Sequence, residues 1–311
     1  DATTTTATGT LTGSDVDTGD TLTYSIAQTS GTYGSIAIDA DTGLWTYTLD
    51  NTDTDTDALA ADASVTDTFS AIVTDAASAQ STAQTITVTL TGANDAPTLA
   101  GNITGSVTED AATTTATGTL TSNDVDTGDT SLTYSIAQTS GTYGSIAINA
   151  DTGLWTYTLD NNDTDTDALA ADASVTDTFS AIVTDAASAQ STAQTITVTL
   201  TGANDTPTLA GDITGSVTED ATTTTATGTL TSTDVDTGDT LTYSIAQTSG
   251  TYGSIAIDAD TGLWTYTLDN TDTDTDALAA DASVTDTFSA IVTDAASAQS
   301  TAQTITVTLT G

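Results

Sequence analysis

The chain has 311 residues, of which 43 are acidic and none is lysine, arginine or histidine, so its formal charge is −43 and no carboxylate can meet a cationic side chain. Each acid must be solvated, hydrogen-bonded to neutral groups, or neutralised by a bound cation. The composition argues against nucleic acid and anionic membrane surfaces as partners, since both are held by basic residues, and the absence of cysteine excludes a disulfide framework. Self-repulsion should be strong at low salt, where the screening length reaches roughly 30 Å, so divalent cations or high ionic strength are expected around this chain. Low hydrophobicity with high charge is also the signature of disorder. Against it stands the period-2 alternation of apolar residues with threonine, with tryptophan and tyrosine at fixed places, which is the pattern of folded β-structure. No stretch approaches the ~20 consecutive apolar residues of a membrane span and no signal peptide is present, so the chain reads as an excerpt.

The sequence starts over three times. Trp45, Trp155 and Trp264 are equivalent, spaced by 110 and then 109 residues, the difference being Ser131, which has no counterpart in the other copies. The only two prolines lie in the repeated phrase Gly92-Ala93-Asn94-Asp95-Ala96-Pro97 and Gly202-Ala203-Asn204-Asp205-Thr206-Pro207. Proline fixes φ and removes an amide donor, which suits a stiff connector. The expected domains are 1–92, 93–202 with linker 93–101, and 203–311 with linker 203–211. Copies this alike argue for a spacer or a multivalent surface, not a triplicated catalytic site. Asp1 aligns with Asp110 and Asp220, so the first copy lacks a counterpart of Ile103-Thr104-Gly105-Ser106-Val107-Thr108-Glu109. A cut from a longer array would account for this; the alternative is an open sheet edge that another chain's strand could fill.

In the second copy, Ile103 to Val107 reads as a short first strand, followed by the acidic pair Glu109-Asp110. Ala116 to Thr121 is a second strand, and Asn123 to Asp129 an acidic loop. Leu132, Tyr134 and Ile136 share one strand face. Gly141-Thr142-Tyr143-Gly144 turns into Ser145-Ile146-Ala147-Ile148, and Asn149 to Gly153 is a hairpin turn. Trp155, Tyr157 and Leu159 then share a face; this row reads as core against the opposite sheet, with a carbohydrate-binding platform as the alternative. An acidic stretch from Asp160 to Ala173 precedes a strand around Phe179 to Val183. After the hairpin at Thr184-Asp185-Ala186-Ala187-Ser188 comes the clearest strand, Thr195 to Thr201. About seven strands per copy, with turns every 8 to 12 residues or so, predict an all-β chain of tandem antiparallel β-sandwiches.

Four acidic clusters stand out in or beside that copy: Glu109, Asp124-Val125-Asp126, Asp185, and Asn94-Asp95 in the linker. Alternate hairpin loops of a sandwich project at one end, where the linker also passes. A Ca2+ ion takes roughly 6 to 8 oxygen ligands, and this chain offers no nitrogen or sulfur competitor, so a Ca2+ site bridging two domains is expected there. The run Asp53-Thr54-Asp55-Thr56-Asp57 begins like an EF-hand loop but has Ala58 and Ser64 where glycine and glutamate belong, and reads as a solvated loop, with weak cation binding as the alternative. Asn102-Ile103-Thr104, Asn162-Asp163-Thr164 and Asn204-Asp205-Thr206 match the N-glycosylation pattern, as chance allows in so threonine-rich a chain.

Asn94-Asp95-Ala96-Pro97, Asp124-Val125-Asp126, the turn Ile38-Asp39-Ala40-Asp41-Thr42-Gly43 and Val183-Thr184-Asp185 together resemble cadherin-like domains. The stretch from Gly141 through Asn161, followed by Val175-Thr176-Asp177-Thr178-Phe179, is similar to the VCBS repeats of large RTX-type bacterial surface adhesins. The resemblance implies a rod of sandwich domains, cadherin- or immunoglobulin-like, stiffened by Ca2+ at each junction. Carried over by position, it implies Asp50, Asn94, Asp95, Asp124, Asp126 and Asp185 as ligands at the first junction. At the second it implies Glu109, Asp160, Asn204, Asp205, Asp234, Asp236 and Asp294. Gly92-Ala93 replaces the leading aspartate of the cadherin linker, Ala96 or Thr206 replaces its following asparagine, and Thr52 stands where an acid is expected after Asp50, so one or two ions per junction are expected.

Nucleophilic catalysis lacks a base, and no P-loop, dinucleotide or zinc signature is present. The implied function is not enzymatic. It is a Ca2+-stiffened extender segment of an extracellular, cell-surface bacterial adhesin or fibre, acting in adhesion or biofilm. Its partners would be neighbouring repeats and possibly other copies of itself, without membrane insertion. The alternatives are a polymerising filament subunit, joined by strand complementation, and carbohydrate-binding repeats.

Overall fold

Threonine alternating with Ile, Val and Leu is a strand code, because the β-branch favours extended backbone and the hydroxyl solvates the outer face. The computed structural model describes residues 4–311 and follows that code. Repeat 1 contains β1 (Thr6–Thr10), β2 (Thr23–Ile26), β3 (Gly34–Ile38), β4 (Leu44–Leu49), the one-turn helix α1 (Thr54–Asp57), β5 (Ser64–Thr74) and β6 (Gln84–Thr91). Repeat 2 runs through β7 (Thr98–Gly101), β8 (Thr104–Thr108), β9 (Thr115–Asn123), β10 (Thr133–Ile136), β11 (Gly144–Ile148), β12 (Leu154–Leu159), α2 (Thr164–Asp167), β13 (Ser174–Thr184) and β14 (Gln194–Thr201). Repeat 3 has β15 (Thr208–Gly211), β16 (Thr214–Thr218), β17 (Thr225–Thr233), β18 (Thr242–Ile245), β19 (Gly253–Ile257), β20 (Leu263–Leu268), α3 (Thr273–Asp276), β21 (Ser283–Thr293) and β22 (Gln303–Thr310).

Repeat 2 is a sandwich of two four-stranded sheets, β11-β12-β9-β7 and β10-β13-β14-β8, and repeat 3 has the same two sheets. The chain is all-β, three tandem sandwiches in series. Pairing is antiparallel except that β8 runs parallel to β14, and β16 to β22. Trp155, Tyr157 and Leu159 of β12 face Phe179, Ala181 and Val183 of β13 and Ile196, Val198 and Leu200 of β14 in one core. Trp155 and Tyr157 are fully buried, and the Tyr157 and Phe179 ring centroids lie 5.9 Å apart. Each such large side chain contributes about 1.5–3 kcal/mol by leaving water. With the aromatics inside, the carbohydrate platform loses the exposed row that suggested it.

Three expectations need revision. The segment 98–101, assigned to the linker, is the strand β7, with Leu99 and Pro97 buried. The first strand is thus divided, β7 pairing with β9 in one sheet and β8 with β14 in the other, which gives eight strands where about seven were expected. Gly101 makes the switch at φ +110, where a Cβ would lie 2.5 Å from the Thr119 carbonyl oxygen. The solvated-loop reading of Asp53 to Asp57 gives way to α1, because the Asp53 carboxylate accepts from Asp55 N at 2.9 Å and caps the turn. In repeats 2 and 3 the third residue of that turn, Thr166 or Thr275, is fully buried.

Candidate metal centre at the repeat junctions

At the second junction β14 ends at Thr201 and the chain passes through Gly202 to Pro207 into β15. Glu109 follows β8 directly. Its amide donates to Thr201 O at 2.9 Å, and its Oε2 accepts from Ala203 N at 3.0 Å, so parallel pairing delivers a carboxylate that is 3% exposed to the linker. Asn204 Nδ2 donates to Asp294 Oδ2 at 2.8 Å and to the Asp205 carbonyl at 2.6 Å. Asp205 N donates to Asp236 Oδ2 at 3.0 Å, and Asp236 N to Asp234 Oδ1 at 3.1 Å. Across the junction Thr237 N donates to Ala168 O at 3.1 Å, tying the loop after β17 to the end of α2. Two carboxylate groups result, Glu109 with Asp167 and Asp205, and Asp234 with Asp239 and Asp294, each with oxygens within 4.8 Å of one another.

The first junction repeats this frame. Asn94 Nδ2 reaches Asp185 Oδ2 at 2.8 Å, Asp95 N reaches Asp126 Oδ2 at 2.9 Å, and Thr127 N donates to Ala58 O at 2.9 Å. Asp124, Asp129 and Asp185 form its carboxylate group. Asp57 and Asp95 stand here at the positions that Asp167 and Asp205 hold in the inner group of the second junction.

Two of the expected residues stand apart. Asp50 Oδ1 accepts from Thr52 N and Thr52 Oγ1, and Asp160 Oδ1 accepts from Asn162 N; both cap the turn leading to the helix, and neither joins a carboxylate group. The acid brought to the linker from this stretch is Asp57 or Asp167, at the last position of the helical turn. The sequence favours a solvated loop for the run Asp53 to Asp57, with weak cation binding as the alternative, because nothing in it marks the helical turn that brings this acid to the linker. Sequence reasoning also passed over Asp129 and Asp239, whose signal was the closing aspartate of Asp124-Val125-Asp126-Thr127-Gly128-Asp129.

The electrostatics are those of carboxylates crowded without a counter-charge. Burial raises the pKa of Asp95, Glu109, Asp205 and Asp236 above the ordinary carboxylate range, and neighbouring acids add to the rise, chiefly Asp126 at Asp95 and Asp236 at Asp205. Asp126 and Asp236 are each 4% exposed. Asp124 Oδ2, Asp126 Oδ1, Asp234 Oδ2 and Asp236 Oδ1 are buried with no hydrogen-bond donor. An ionised oxygen left so is costly. A hard divalent cation with oxygen preference fits such a donor set.

Burial alone does not create this condition. Asp177, on the inward face of β13, is as buried as Glu109 but accepts from Thr142 N, Tyr143 N and Tyr157 Oη at 2.8, 3.2 and 2.8 Å. Asp67 and Asp286 are held in the same way. These carboxylates are satisfied internally and need no ion.

The family model described as a bacterial cadherin-like domain matches residues 1–92, 94–202 and 204–311. The chain belongs to this family. Among solved structures, these cadherin-like repeats are similar to the mouse clustered protocadherin PcdhgC3 EC1-3. The identity is 17% and the TM-score 0.47, covering 93% of this chain and 88% of that one. They are also similar to human protocadherin-24 EC1-2, at 16% identity and a TM-score of 0.43 over 70% of this chain and 99% of that one. Drosophila N-cadherin EC1-4 matches at 13% identity and a TM-score of 0.37, over 94% of this chain and 68% of that one. No curated protein sequence matches. Cadherin-like domains are structural and adhesion modules, not enzymes, and are typically extracellular. Among the described residues no helix is long and apolar enough to cross a membrane.

Proposed function

We propose that the chain is a Ca2+-stiffened rod segment of a bacterial cell-surface adhesin of the RTX type, with repeats 1–92, 93–202 and 203–311 acting as an extender in adhesion or biofilm. The observation that supports this most directly is the set of buried carboxylate oxygens without donors at both junctions, in a chain with no cationic side chain. At the second junction Glu109, Asp167, Asp205 and Asp236 would hold one ion, and Asp234, Asp239 and Asp294 a second. At the first, Asp124, Asp129 and Asp185 would hold one, and Asp57, Asp95 and Asp126 stand at the positions of the inner set. Asn94 and Asn204 orient Asp185 and Asp294 through their side-chain amides. Bound Ca2+ would cancel the repulsion that otherwise pushes successive repeats apart.

Calorimetric Ca2+ titration of the metal-stripped chain tests this. Saturable binding is expected, with Asp236→Asn weakening it at least about tenfold, which corresponds to the loss of about 1.4 kcal/mol. The same substitution should stabilise the stripped chain by removing one buried charge. Equal Ca2+ affinity in the two proteins would contradict the assignment.

A further inference from the structure

The two junctions share one plan but differ in the length of one loop. Ser131 is inserted after Thr130 in the loop that follows β9, whereas the loop after β17 passes directly from Thr240 to Leu241. These loops carry Asp129 and Asp239. Each is the closing member of an outer carboxylate group, Asp124 with Asp129 and Asp185 at the first junction, and Asp234 with Asp239 and Asp294 at the second.

The extra residue changes what holds that carboxylate. Asp239 Oδ1 accepts from Thr240 N at 2.8 Å and from Ala295 N at 3.2 Å, and the second bond ties the loop to the hairpin after β21. That hairpin also carries Asp294, so two members of the group are braced together by the protein's own backbone. Asp129 Oδ1 accepts instead from Ser131 N at 3.3 Å, a longer bond within its own loop. Repeat 1, also without the extra residue, keeps the local bond, Thr21 N to Asp20 Oδ1 at 3.1 Å. Among the described residues the bond to the hairpin is made in repeat 3 alone. In repeat 2 the space between loop and hairpin is an open groove of about 410 Å³, with Ser131, Ala186 and Ala187 in its walls.

Both outer groups make the same demand for a cation, since Asp124 Oδ2 and Asp234 Oδ2 are each buried without a donor. They differ in how much must be rearranged to meet it. Like charges this close repel, and hydrogen bonds are what keep them together before an ion arrives. A group already held in place loses less freedom on binding than one that has to be gathered. The second junction is the held case, and the first is the gathered one.

We propose that Ser131 is a positioning residue that sets the Ca2+ affinity of the first junction below that of the second, which gives the rod two thresholds of stiffness. As Ca2+ falls, the first junction loosens while the second is still locked. Ser131 acts through the length of the loop and not through its hydroxyl, because it meets Asp129 with its backbone amide. The inference rests on the assignment of both outer groups to Ca2+.

The test titrates Ca2+ into the metal-stripped 311-residue chain and follows by NMR the amides of Ala186 and Ala295, one beside each outer group. The Ala186 signal should reach its midpoint at a Ca2+ concentration at least about threefold higher than the Ala295 signal, the worth of one hydrogen bond. Deleting Ser131 should bring the two midpoints together. Inserting a serine between Thr240 and Leu241 should raise the Ala295 midpoint towards that of Ala186. Ser131→Ala keeps the loop length and should behave as the parent. Equal midpoints in the parent overturn the proposal, as does a gap that survives the deletion or one that Ser131→Ala abolishes. Silence of both amides towards Ca2+ would instead overturn the Ca2+ assignment itself, and the proposal with it.

Discussion

Asp177 and Asp236 are both aspartates buried in a chain with no positive side chain, and their different surroundings set their roles. Asp177 is completed by two amides and the Tyr157 hydroxyl, whose own pKa is driven up by burial first and then by its bond to Asp177, so it remains a donor throughout the ordinary pH range. Removing that donor with Tyr157→Phe leaves Asp177 Oδ2 one bond short and should cost about 1–3 kcal/mol in a denaturant melt, independent of Ca2+. Asp236 has one oxygen without a donor, and with Glu109 and Asp205 its pKa is raised. A raised folded-state pKa means that the folded chain holds more protons than the unfolded one. Stability is then full below the unfolded value near pH 4 and is lost as pH rises through the folded value. The metal-stripped chain should therefore melt at lower temperature at pH 7 than at pH 4. Saturating Ca2+, which favours the ionised form, should reverse that order; calorimetry across this window checks both.

At the scale of elements, the strands were legible because period 2 is written so plainly: Thr195 to Thr201 alternates through its whole length, and Trp155, Tyr157 and Leu159 fall on the buried face. Where pattern and structure part, a local side-chain bond or a long-range pairing decides. Nothing in Thr98-Leu99-Ala100-Gly101 distinguishes a linker from a four-residue edge strand until Leu120 to Asn123 lie beside it. Nor does the run Asp53 to Asp57 announce a helical turn without its N-cap. That turn matters because it places Asp57 or Asp167 at the linker, whereas Asp50 and Asp160, favoured by resemblance, are taken up by Thr52 and Asn162. Asp163→Ala removes the cap of α2 and should cost about 1 kcal/mol. It should also weaken Ca2+ binding at the second junction while leaving the first unchanged, a separation that titration of the variant against the parent can read.

For the whole molecule, the acidic clusters and the linker were readable as sequence, and their convergence at the junctions is supplied by topology. The loop after β9, the hairpin after β13 and the linker meet at one end of repeat 2, and the loop after β17 and the hairpin after β21 do the same in repeat 3. Direct contact between repeats includes one backbone hydrogen bond at each junction, Thr127 N to Ala58 O and Thr237 N to Ala168 O. With a formal charge of −43, so slight a link would not hold three repeats straight at low salt. A bound cation would stabilise the folded junction by RT ln(1 + [L]/Kd), about 2.7 kcal/mol at a hundredfold excess over Kd. Small-angle X-ray scattering of the metal-stripped chain, before and after Ca2+ is added at constant ionic strength, measures this directly. The account predicts a distribution of bent shapes that becomes a single extended rod with a higher melting temperature; an unchanged scattering profile with an unchanged melting temperature would contradict it.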